Sequence, residues 1–135
     1  MSVEFKPILK LDTMYGHCDE LKIEFRDMDL IATVQYYRTA ATFSRTFTFG
    51  FVEAHSIYSE MMLPLTARYC LDQLCDVVGS DWVKRLSQNV SPNLRDFHHY
   101  AIRFSKCGYL EVLCHRLDIG PEMTFDDRGG VKSTS

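Results

Sequence analysis

The sequence is short of the features that mark most specialised proteins. No window approaches 18 consecutive apolar residues, so no helix is expected to cross a membrane. Glycine and proline are sparse, at seven and four of 135 residues, which excludes a collagen-like or Pro/Gly-rich chain. Basic charge is not in excess: 15 Lys+Arg face 18 Asp+Glu, a net charge of -3, whereas a dedicated nucleic-acid binder is usually basic. The strings G-x-S-x-G, G-x-x-x-x-G-K-S/T, G-x-G-x-x-G and H-E-x-x-H do not occur, so the nucleophile elbow, the phosphate loops and the zinc-binding helix motif are all missing. There is no internal repeat and no low-complexity tract.

What is abundant is aromatic. Nine Phe and seven Tyr bring the aromatic share to 13%, which favours a strand-rich fold. With 46% hydrophobic and 24% charged residues the composition is globular, and 135 residues can bury a core without disulfides or a metal. The opening residues MSVEFKPILKLD show no basic cluster followed by an apolar run. Cys18, Cys70, Cys75, Cys107 and Cys114 are therefore expected as reduced thiols in the cytoplasm, and their odd number argues against a disulfide framework.

Along the chain, residues 1–18 read as irregular, with Pro7 and a Tyr15-Gly16 turn. Leu21, Ile23 and Phe25 alternate with Lys22, Glu24 and Arg26 as a strand. Asp27-Met28-Asp29 turns it back into a second strand from Leu30 to Arg38, so a hairpin is expected. Phe43, Phe47, Phe49 and Phe51 share one parity, which predicts four rings on one sheet face in the core, with Gly50 marking a bulge or a close backbone approach. His55, Ile57 and Tyr58 suggest a separate short strand. From Leu65 to Val78, Leu71, Leu74, Val77 and Val78 recur at three- and four-residue steps, which predicts an amphipathic helix. Gly79 ends it, and Ser80 caps a second helix that turns Trp82, Val83 and Leu86 inward, closed by Ser91-Pro92-Asn93. Phe97–Ser105 and Tyr109–Ile119 form a second hairpin across Lys106-Cys107-Gly108. The expectation is one α+β domain over residues 1–120, followed by a flexible tail over 121–135. Its antiparallel sheet has five to six strands, with two helices packed on one face in the order strands, helices, strands.

No constellation of the chemistry-bearing residues is specific. Tetrahedral zinc needs tight pairs such as C-x2-C, and neither Cys70/Cys75 nor Cys107/Cys114 has that spacing. Adjacent His98 and His99 face opposite sides of a strand, so only one can join His115 on a paired strand. Ser59-Glu60 reads as a cap for the first helix. No metal, cofactor or catalytic residue is assigned.

Charge is the more informative property. Residues 1–67 hold six basic and nine acidic side chains, whereas residues 68–135 hold nine of each, so the whole excess lies in the first half. Asp19, Glu20, Glu24, Asp27 and Asp29 flank the first hairpin, and Asp72 and Asp76 extend them from the expected helix. Together they suggest a docking patch for a basic protein partner.

Two stretches carry a resemblance: FHHYAIRF running into GYLEVL, residues 97–104 and 108–113, and Ile57-Tyr58-Ser59-Glu60 leading to Asp72 and Ser80-Asp81-Trp82. In style they resemble small acidic bacterial immunity proteins of contact-dependent and other polymorphic toxin systems. That resemblance implies a cytoplasmic, non-catalytic inhibitor that binds a toxin domain, often a basic nuclease, without itself binding nucleic acid or membrane. The alternative is a small-molecule-binding domain or small enzyme, with a pocket between sheet and helices and His55, His99 or His115 as its polar groups. A third reading is a homodimer formed through an unpaired sheet edge.

Overall fold

The computed structural model describes residues 3–13, 18–38, 41–90, 96–125 and 131–133. Seven strands form one antiparallel sheet: β1 (Glu4–Lys10), β2 (Cys18–Arg26), β3 (Asp29–Arg38), β4 (Ala41–Tyr58), β5 (Gln73–Val78), β6 (His98–Phe104) and β7 (Gly108–Ile119). Their spatial order is β1-β5-β6-β7-β4-β3-β2. Two short strands, β8 (Met123–Phe125) and β9 (Val131–Ser133), lie off this path, β8 against Phe43 and Ser44 of β4 and β9 against β8. They fall within the stretch read as a tail.

Both hairpins form where local alternation and turn chemistry agree. β2 and β3 turn at Asp27, which takes φ 57°, a left-handed conformation that Asp tolerates. β6 and β7 turn through Ser105, Lys106 and Cys107 into Gly108 at φ 120°. There a Cβ would stand 2.6 Å from the Tyr58 carbonyl oxygen, so glycine is required twice over.

The expected pair of helices on a five- to six-stranded sheet is corrected: the fold is mostly sheet, with one α-helix among the described residues, α1 (Asp81–Ser87). Residues 65–78, expected as helix, divide into a 3-10 helix at Leu65–Cys70 and strand β5. The spacing misleads because β5 is covered on both faces. Leu74 enters the main core, while Cys75 and Val77 enter a second cluster on the opposite side. A strand buried on two sides loses its alternation and reads as helix. Asp72, at φ 51°, makes the break between the two pieces, and Gly79, at φ 78°, ends the strand rather than a helix.

Three further expectations change. Residues 4–10 are strand β1, an edge strand that accommodates Pro7 beside a register shift. His55, Ile57 and Tyr58 continue β4, which runs 18 residues. Phe43, Phe47 and Phe49 are buried, but Phe51 is 44% exposed. Positive φ at Phe51 and a bulge between Val52 and Ala54 break the alternation and send its ring outward, beneath the Arg116 guanidinium at 4.6 Å. At Gly50 the close neighbour is a side chain and not backbone, since a Cβ there would meet Arg116 Nε at 3.1 Å. The Tyr15-Gly16 turn and the Ser91-Pro92-Asn93 segment lie outside the described residues.

The sheet curls over its main core. Leu30, Ala32, Val34 and Tyr36 of β3 and the three Phe of β4 face Ile102 and Phe104 of β6 and Leu110 and Val112 of β7. Phe47 meets Phe104 at 6.3 Å and Phe49 meets Tyr100 at 6.1 Å between ring centres. The far edge is pinned back by Cys18, whose thiol donates to Asp72 Oδ1 at 3.3 Å and whose N–H reaches Ser105 Oγ at 3.4 Å. Burial first, then the Asp72 charge, holds that thiol far above its ordinary value. Cys18, Cys70, Cys75 and Cys114 are buried free thiols, and Cys107 is half-buried. On the outer face, Ala67 and Cys70 of the 3-10 helix cover Cys75, Val77, Ala101 and Tyr109.

Candidate functional site

The acidic residues read as a patch do not share a surface. Asp19 and Glu20 sit at one end of β2 and Asp27 and Asp29 at the other, roughly 27 Å apart along an extended strand. Glu24 is paired with Lys22 at 2.9 Å. Asp29 accepts the Phe51 N–H at 3.2 Å, a structural bond beside the bulge. Asp72 is 4% exposed and accepts the Ser105 N–H at 2.8 Å as well as the Cys18 thiol. Asp76 lies within β5, opposite Lys6 and Tyr100, not on a helix face. Asp19, Glu20 and Asp72 do converge, with Glu60, near Cys107, and together with burial, the larger cause, they raise its thiol pKa. Glu60 pins the second hairpin turn by accepting from the Lys106 N–H at 3.0 Å and Arg103 Nη2 at 3.1 Å. Ser59 makes no capping bond with its side chain.

The histidines separate in the same way. His55 is exposed against the Phe25 ring. The two ring nitrogens of His115 meet the Asp96 carbonyl at 2.8 Å and Glu53 Oε1 at 3.0 Å, in a surface hollow beside Phe51 and Arg116. His99 is buried between the sheet and α1, and the more exposed His98 lines a neighbouring hollow with Val83 and Lys84.

A cavity of about 440 Å³ opens at His99 on the outer face of the sheet. Seven elements build it: Val3 and Phe5 come from just before and within β1, Ser56 and Tyr58 from β4, Thr66 from the 3-10 helix, Val77 from β5, Asp81, Trp82 and Arg85 from α1, and His99 and Glu111 from β6 and β7. Its polar floor is one connected chain. Ser80 caps α1, its Oγ accepting the Val83 N–H at 3.3 Å. The Ser80 hydroxyl lies 2.7 Å from His99 Nδ1, and Glu111 Oε1, which can only accept, lies beside Nε2, so the hydroxyl donates to Nδ1. That assigns the ring proton to Nε2, which donates to Glu111 Oε1 at 3.0 Å. The Tyr109 hydroxyl donates to the same carboxylate oxygen at 3.2 Å. The Trp82 ring stands edge-on to the imidazole at 5.1 Å and fixes its plane. His99 and Ser80 are both buried, so the chain lies largely out of water, where such bonds are strongest.

Only part of this was visible in sequence. Local patterning marks Ser80 as the cap and Trp82 as an inward residue. Glu111 carries no local mark, and only the register of the expected hairpin points to it. In its register Ala101 pairs with Glu111 and His99 with Leu113, so His99 and Glu111 are diagonal neighbours on one face. Among the described residues no group of three or more His, Cys, Asp or Glu could hold a metal ion, and no helix is long and apolar enough to cross a membrane.

The comparisons give no support to the likeness to toxin-immunity proteins. No family model, no curated protein and no solved structure matches this chain.

Proposed function

We propose that the protein binds a small molecule in the cavity between α1 and the outer face of the sheet. The observation that carries this reading is the join of an aromatic wall to a buried hydrogen-bonded floor. Phe5, Tyr58 and Trp82 offer apolar area, and His99, Glu111 and Arg85 offer polar groups that fix orientation. About 440 Å³ falls within the roughly 300–1,000 Å³ of small-molecule sites. Docking of a basic protein through the acidic hairpin is less favoured, because Asp19 and Glu20 lie at the opposite end of β2 from Asp27 and Asp29, Glu24 is paired with Lys22, and Asp72 is buried. Four buried free thiols suit a reducing, cytoplasmic compartment.

Trp82 is the only tryptophan in the chain and lines the cavity, so its fluorescence reports occupancy directly. Titration with a panel of small aromatic acids, esters, amines and nucleobases is expected to yield saturable quenching for at least one class, with a matching rise in melting temperature. A panel that moves neither signal would overturn the proposal.

A further inference from the structure

We propose that Ser80 is a nucleophile and that the cavity hydrolyses small carboxylic esters, an inference that rests on the cavity being a small-molecule site. A serine that only capped a helix would need an acceptor oxygen and nothing more, and the Val83 N–H bond already meets that need. The remaining connections go beyond capping. The Ser80 hydroxyl is 2.7 Å from one imidazole nitrogen, and a carboxylate lies 3.0 Å from the other. That is the relation a serine nucleophile needs: a base within hydrogen-bond reach, oriented by a third group on its opposite nitrogen. Tyr109, bonded to the same Glu111 oxygen, and Trp82, edge-on to the imidazole, hold the second and third groups in place. Ser80 and His99 both line the cavity in which the ester would be held.

The chemistry balances without any further reactant except water. Ser80 Oγ bonds to the acyl carbon as its proton passes to His99 Nδ1, and the carbonyl electrons move onto oxygen. Arg85 lines the same cavity and is the cation there that would stabilise the developing oxyanion. When the adduct collapses, the ester C–O bond breaks and the alcohol leaves with the proton from His99. Water then adds to the acyl-serine, gives its proton to His99, and the proton returns to Ser80 Oγ as the carboxylic acid departs. Glu111 offsets the imidazolium charge through both halves. The acyl groups that fit are short or aromatic ones, which the Phe5, Tyr58 and Trp82 rings would cover.

The test uses the full chain with p-nitrophenyl acetate, p-nitrophenyl benzoate and a fluorophosphonate probe, followed by peptide mapping. Ser80→Asp retains a capping oxygen and removes the nucleophile. The expected results are ester hydrolysis above buffer, probe adduct on Ser80, and loss of at least about 100-fold in rate for Ser80→Asp and His99→Ala. Glu111→Gln is a positioning variant, expected to lower kcat by a larger factor than it changes KM and to move the pH profile. If Ser80→Asp does not fold, the mapped site of the probe on the unaltered chain decides. Absence of adduct at Ser80 and of hydrolysis, while panel compounds still quench Trp82, would overturn the nucleophile and leave the binding reading standing. If no compound quenches Trp82 either, both fall.

Discussion

Asp72 offers the sharpest test of how this fold is held. Its carboxylate is buried, yet its partners are a backbone N–H and a thiol rather than a cation: Ser105 N–H at 2.8 Å and Cys18 S–H at 3.3 Å. One atom thereby ties the start of β2 to the β6–β7 turn, across separations of 54 and 33 residues. Asp72→Ala removes a charge-assisted bond to the Ser105 N–H, about 1.5–3 kcal/mol. It also places alanine at φ 51°, which costs about 1 kcal/mol because the left-handed region crowds Cβ. The expected loss is about 3 kcal/mol. Asp72→Asn keeps an acceptor oxygen and tolerates the positive φ, so it should cost about 1 kcal/mol, as should Cys18→Ala, which deletes only a weak donor. Urea unfolding, followed by far-UV circular dichroism and by Trp82 fluorescence, gives each value from the midpoint at constant m. The reasoning fails if Asp72→Ala lies within about 0.5 kcal/mol of the parent chain. It also fails if Asn costs as much as Ala, since that would make charge, not the acceptor, the important property.

Further outcomes follow from the same contacts. Gly108→Ala should cost at least about 2 kcal/mol in the same urea assay, because its Cβ would meet the Tyr58 carbonyl at 2.6 Å in a strained φ region; an unchanged midpoint would contradict that contact. Phe47→Ala should cost about 3–5 kcal/mol, as expected for a fully buried ring, whereas Phe51→Ala should cost less than about 1 kcal/mol. Equal losses at the two sites would restore the single-faced Phe stripe. Burial pushes the Cys70 and Cys114 thiols up from 9.0 to about 12, and Tyr100 from 10.0 to about 12. The folded state therefore holds these protons more tightly than the unfolded chain. Their stabilisation is complete below pH 9 and is lost as pH rises toward 12, at roughly 1.4 kcal/mol per pH unit for each ionising group. Melting temperatures that stay level from pH 8 to 11 would exclude this.

The hairpins were legible because each rests on neighbours in sequence. Leu21, Ile23 and Phe25 against Lys22, Glu24 and Arg26, with Asp27 in the turn, carry the first. Tyr100, Ile102 and Phe104 returning through Gly108 carry the second. The Ser80 cap was legible for the same reason, since its partner Val83 is three residues on. Where a segment is covered on both faces, as β5 is, or where a bulge resets the alternation, as after Phe51, periodicity loses its meaning.

By itself, then, the sequence determined the local elements: two hairpins, a capped short helix and a supply of aromatic side chains large enough to fill a curled sheet. Tertiary structure alone decided that residues 73–78 pair as a strand between β1 and β6, that Asp72 is an internal clasp, and that Ser80, His99 and Glu111 form one chain. The physical reason is range. Alternation and capping act over two to four residues, whereas the bonds from Ser80 to His99 and from His99 to Glu111 span 19 and 12 residues. Those bonds exist only once α1 is laid across the face that β6 and β7 share.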